Sequence, residues 1–142
     1  MEFFKTAFAI GTRGKGLYEF TQNVAEFLVE TNARAGHLIC TCQHTTASIA
    51  LLGGVDDEMK GDLVAFFKRL APEDGSYSHN NTGLDDMPSH LKAVLTLPGA
   101  ALSVSEGDLM LGPNQGLFLF EHREEAQARQ VSVSFVGLVR QH

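Results

Sequence analysis

Tryptophan is absent, cysteine occurs only twice, and basic side chains are outnumbered, 11 against 17 acidic ones. Each shortage excludes something. The two cysteines, Cys40 and Cys42, stand too close together to staple a loop and form no disulfide framework. A reducing setting is therefore expected. The formal net charge of −6 argues against a nucleic-acid partner, whose phosphates need a basic face. No apolar run approaches the roughly 20 residues that cross a bilayer, so no membrane partner is expected. The opening MEFFKTAFAI lacks a basic segment, a long apolar run and a small-residue cleavage site. It does not read as a signal peptide, and a cytoplasmic location is expected.

The remaining composition is that of an ordinary globular domain, with 44% apolar and 20% charged residues. The 142 residues suit one domain, 1–142, with no repeats or linkers. Phe3 to Ile10 reads as a strand. Gly11, Gly14 and Gly16 follow, and their spacing matches no phosphate-loop fingerprint, so a turn is expected. Phe20, Val24, Phe27, Leu28 and Thr31 recur at helical spacing, with Thr21 as cap and Gly36 as stop. Leu38–Cys42 reads as a strand and Thr46–Leu52 as a second apolar segment, with Gln43-His44-Thr45-Thr46 between them. Met59, Leu63, Phe66, Phe67 and Leu70 mark a second helix, with Asp56, Asp57 and Glu58 at its positive end and Lys68 and Arg69 at its negative end. Its interior Gly61 costs about 1 kcal/mol relative to Ala. Pro72 to Gly83 is a long polar loop, and a third helix starts near Asp85 and Pro88 and runs to Leu95. Ala100–Val104, Leu109–Leu111, Gly116–Phe120 and Gln130–Val139 read as strands. The expected fold is α+β: largely antiparallel, sandwich-like sheets flanked by about three helices.

Six histidines carry most of the chemical interest. His44 ends a strand, His79 lies in the long loop, and His90 falls in the first turn of a helix. Loops and element ends are where ligands converge on a rigid scaffold. Three imidazoles with one open position would make a catalytic zinc-type site, although for any one of them an ordinary polar surface residue is the commoner case. His37 and His142 are read as surface residues. Cys40, Cys42 and His44 form a second constellation, because residues two apart on a strand share a face. Such a row suits a thiolate paired with a base, or a core filled with thiols. Thr45 and Thr46 can bond phosphate oxygens or simply start a strand. Asp85 and Asp86 can cap a helix, or one of them can orient a ligating imidazole. Gln115, Glu121 and Arg129 occupy strand ends. Arg129 could hold a phosphate with its fork of donors, and Glu121 is the remaining general-base candidate.

Four ordered motifs add a resemblance. His44-Thr45-Thr46-Ala47-Ser48, the Pro72-to-His79 loop, Gly83-Leu84-Asp85-Asp86-Met87-Pro88-Ser89-His90-Leu91-Lys92, and Leu111-to-Gly116 followed by Glu121-His122-Arg123 look like the hallmarks of the YjbQ-like family. The resemblance covers nearly the whole chain and implies an α+β homotrimer with a site on the motif histidines. It implies a metal or anion site on His44, His79 and His90; by ligand type the metal expected is zinc, and Asp86 and Glu121 are the residues expected to assist catalysis. Thr45, Thr46, Gln115 and Arg129 would contact a small phosphorylated molecule. Members are named secondary thiamine-phosphate synthases, joining a pyrimidine diphosphate to a thiazole phosphate with release of diphosphate, and a weak activity of that kind is the leading expectation. A non-catalytic metal- or phosphate-binding trimer is the alternative, and a Cys42/His44 nucleophilic enzyme the second. The family's usual Asn-Glu is replaced here by Leu52-Gly53, a common glutamate by Thr82, and a tryptophan by Asn114.

Overall fold

A computed structural model describes residues 1–79 and 82–141; the His142 expectation lies outside them. The elements run β1 (Glu2–Gly11), β2 (Gly16–Glu19), α1 (Thr21–Glu30), β3 (Ala33–Cys42), β4 (Ala47–Gly53), α2 (Asp57–Leu70), α3 (Asp86–Leu95), β5 (Gly99–Ser105), β6 (Asp108–Leu109), β7 (Gln115–Glu121) and β8 (Ala128–Val139). Five strands form one sheet in the order β1-β8-β3-β5-β6, and three form another, β2-β7-β4. Every strand pairing is antiparallel. The α+β architecture with three helices is the one expected.

Alternation builds the core. Leu38, Cys40 and Cys42 of β3 and Val131, Val133 and Phe135 of β8 point inward to meet Leu117 and Leu119 of β7 and one face of α1. The other face of β7 presents Phe118 and Phe120, on which Leu63 and Phe67 of α2 pack. Strand β7 is therefore apolar at consecutive positions because it is covered on both sides. Helix α2 buries no residue completely, and its Phe66 and Leu70 stay half exposed.

Three local expectations change. Gly36 does not stop a helix: it lies in β3, opposite Gly137 of β8. A Cβ on Gly36 would stand 2.2 Å from the Val136 carbonyl oxygen, so both glycines permit a close strand approach. Helix α1 is ended instead by Asn32 in the left-handed conformation, φ 57°. Thr21 is the first helical residue, not the cap; its hydroxyl donates to Glu19 and accepts from the Leu117 N–H. Strand β2, with only four residues after a glycine turn, carries too short a pattern to be seen in the sequence.

Candidate metal site and its surroundings

Helix α3 begins with Asp86, and His90 follows one turn later on the same face. The loop before it returns His79 to that face. The Asp86 carboxylate lies between the two imidazoles: Oδ2 is 3.3 Å from His79 Nε2 and Oδ1 is 3.3 Å from His90 Nε2. The two rings meet edge-on at 5.5 Å, and the donor atoms of all three residues lie within 4.8 Å of one another. Donors about 3.4 Å apart are what bonds of roughly 2.1 Å at tetrahedral angles require. Asp86 is buried, His90 half-buried and His79 exposed, so the cluster faces solvent on one side.

Arg123 braces this cluster. Its guanidinium reaches Asp86 Oδ1 at 3.4 Å, Asp85 Oδ1 at 3.2 Å and the Thr82 carbonyl at 2.9 Å. Asp85 also accepts from the Glu124 N–H at 2.7 Å, and it makes no cap bond to α3. One arginine thus ties the end of the polar loop, the start of α3 and the segment after β7 together.

His44 stands apart from the cluster. Its Nε2 accepts the Gln130 N–H at 2.7 Å, which requires a neutral ring protonated on Nδ1. Burial, and then the nearby Arg129 charge, lowers its pKa below the usual imidazole range, in keeping with that neutral form. His44 and Thr45 share with His90 a depression of about 350 Å³, while the donor atoms that converge are those of His79, Asp86 and His90. Asp86 therefore contributes an oxygen beside both imidazoles, where the sequence suggested three histidines.

Glu121 and Arg129 form a buried pair instead of a reactive surface. Glu121 Oε1 accepts from Thr12 at 2.6 Å and Arg129 Nε at 2.8 Å; Oε2 accepts from Arg129 at 2.5 Å and from the His122 and Arg123 backbone N–H groups. Arg129 also donates to the Thr46 hydroxyl at 2.8 Å and to its carbonyl. Glu121, expected as a general base, and Arg129 and Thr46, expected as a phosphate clamp, are bonded to one another, with both charges buried. Gln115 sits at the opposite end of β7, six residues or about 20 Å away, where its side chain accepts the Gly112 N–H. Leu52, Gly53 and Asn114 cluster at that same far end. The family departures there are remote from His79, Asp86 and His90 within this chain. Thr82 is the exception, since its hydroxyl accepts from Arg123.

The thiol row faces the core. Burial pushes both thiols up, Cys40 and Cys42 alike, which is opposite to what a nucleophile needs.

Two features escape the sequence. His122 is buried, with Nε2 2.9 Å from the Ser48 hydroxyl, which in turn lies 2.6 Å from Thr96. The Thr96 hydroxyl donates to the Lys92 carbonyl, so the chain runs from imidazole to helix backbone. Burial first, then Lys92 and Arg129, pulls His122 down to about 3. Lys92 itself is 3% exposed, and burial, then Lys15, lowers it below the usual lysine range. Only the Glu121-His122-Arg123 motif hints at the first; spacing gives no signal for either.

The model of the UPF0047 protein YjbQ-like family matches residues 6–138. The chain belongs to this family. The Synechocystis UPF0047 protein sll1880 is 37% identical over 131 residues, covering 92% of this chain and 89% of its own. YjbQ of Escherichia coli O157:H7 is 30% identical over 135 residues, covering 94% and 98%. Among solved structures, SSO2532 of Sulfolobus solfataricus superposes with a TM-score of 0.84 at 21% identity, covering 96% of this chain and all of that one. The conserved hypothetical protein TT1486 of Thermus thermophilus gives 0.80 at 25% identity, covering 92% and 99%. These match the fold of this YjbQ-like chain end to end.

Proposed function

We propose that this YjbQ-like protein binds one divalent metal ion through His79, Asp86 and His90 and acts there on a small phosphorylated molecule. The placement of one buried carboxylate against two imidazoles carries the proposal. Two nitrogens and one oxygen with a side open to solvent are the donor set of catalytic zinc centres. A bound zinc would supply positive charge to the phosphoryl oxygens of a departing diphosphate. The chain's own residues hold the donors: Arg123 fixes Asp86 and the Thr82 loop, and α3 sets the one-turn spacing to His90.

The reaction class we favour is a weak thiamine-phosphate synthase activity, resting on the four motifs. Product formation by zinc-loaded protein that disappears in His90→Ala is the expected outcome; equal rates in both would remove the role. Burial of Glu121 favours a second reading, binding without turnover, because it leaves no free glutamate base beside the metal ligands among those suggested. Zinc-dependent ligand binding with no product would select that reading.

We also propose a homotrimer assembled on the outer face of the larger sheet. There Phe3, Ile39, Val136 and Leu138 leave an apolar strip exposed. Light scattering is expected to give three times the 15.4 kDa chain mass, and Val136→Asp to reduce it. A monomeric wild type would contradict this.

A further inference from the structure

The groove between α2 and the turn leading into β2 has a volume of about 560 Å³ and no acidic residue in its lining. Lys15, Lys60 and Lys68 stand along it, in a chain with six more acidic than basic side chains. Lys60 and Lys68 lie eight residues apart on α2, roughly 12 Å along its axis and about 80° around it. Neither is paired with a carboxylate among the described residues, whereas Lys15 meets Glu73 and, at 3.6 Å, Glu124.

Two further features of the groove bear on what it could hold. Gly61 is a helix-interior glycine on the wall of this groove, and a Cβ there would touch nothing within 4 Å. No packing demands the glycine, which weakens α2 by about 1 kcal/mol relative to Ala. Secondly, a small cavity adjoins the groove, sharing Lys15 and Val64 with it, and Lys92 lines that cavity. Lys92 is nearly fully buried, Glu121 lines the same cavity, and the Glu73 and Asp85 carboxylates act on its charge from further off. An anion in the groove would add to that attraction.

We propose that this groove is an anion site for a small phosphorylated molecule, with Lys60 and Lys68 on its wall, Lys15 at its inner edge, Lys92 beyond it and Gly61 leaving room for the ligand. It goes beyond the metal reading, since it shares no residue with His79, Asp86 and His90. A phosphate or diphosphate group is the chemistry recognised, and the groove's size fits a free molecule better than a polymer.

The test is calorimetric titration of the full chain with inorganic diphosphate in a chelating buffer, which keeps metal out. Saturable binding that weakens with added salt is expected, because the lysines are partly solvated. The paired change Lys60→Gln, Lys68→Gln is expected to weaken it about tenfold or more, and Gly61→Leu to block it while the fold is kept. His90→Ala should bind diphosphate like wild type, separating this site from the metal site. No binding by wild type, or equal binding by the lysine pair variant and by Gly61→Leu, would overturn the proposal. Attachment to vesicles carrying phosphoinositide headgroups without affinity for free diphosphate would overturn it too.

Discussion

His122 shows what burial does to a single titratable group. Its folded pKa of about 3 lies far below the roughly 6.5 of an unfolded histidine. Below pH 6.5 the unfolded chain takes up a proton that the folded one refuses. Stability is therefore complete above that pH and falls on acidification, by about 1.4 kcal/mol per unit from this group. Urea unfolding at pH 7 and pH 5 should give wild type a loss about 2 kcal/mol greater than that of His122→Gln. Equal losses would show that His122 titrates normally. The same scale explains which site residues can be recognised in advance. His79 and His90 are legible because loop and helix-start positions are where ligands gather. Asp86 is legible as a partner of imidazole. Glu121 reads as a general base and Arg129 as a phosphate fork because a strand end is exposed in most sheets, and nothing local announces that Thr12, 109 residues from Glu121, bonds to it. The bond that occupies His44 Nε2 is hidden for the same kind of reason: the Gln130 N–H comes from 86 residues on.

At the scale of elements, periodicity reveals the long helices and strands, because each buries one face. It fails where contact, not pattern, decides structure. Gly36 and Gly137 are such a place. The two face each other across β3 and β8, and a Cβ on Gly137 would stand 2.2 Å from the Ala35 carbonyl oxygen and 2.7 Å from Gly36 Cα. Backbone on both sides cannot yield as a flexible side chain would. Gly137→Ala should therefore destabilise the protein by about 2–4 kcal/mol in thermal or urea unfolding. A change below about 1 kcal/mol, on the order of an unstrained surface substitution, would mean that the strands can separate without cost. Helix α3 is the element on which the proposed function rests. It presents Asp86 and His90 one turn apart to the candidate metal site, while Lys92, two residues further on, turns toward α2. Its carbonyls accept from Thr96, which links it to Ser48 of β4 and to His122.

For the whole molecule, two sheets and three helices place the polar loop, the start of α3 and the segment after β7 at one end, with Arg123 joining them. The far end of β7 carries Gln115, Asn114 and Gly53, so one chain separates the two groups of family motifs by a strand length. No helix among the described residues is long and apolar enough to cross a membrane. The fold class and the motif order are readable from the chain alone; that Asp86 stands beside both His79 and His90 requires the three-dimensional path. The proposal that these three hold a metal is best tested by metal content. After zinc reconstitution and desalting, elemental analysis should find about one zinc per chain in wild type and in His44→Ala. His79→Ala, His90→Ala and Asp86→Asn should each lose it. Zinc retained in those three variants, or lost in His44→Ala, would contradict the site described.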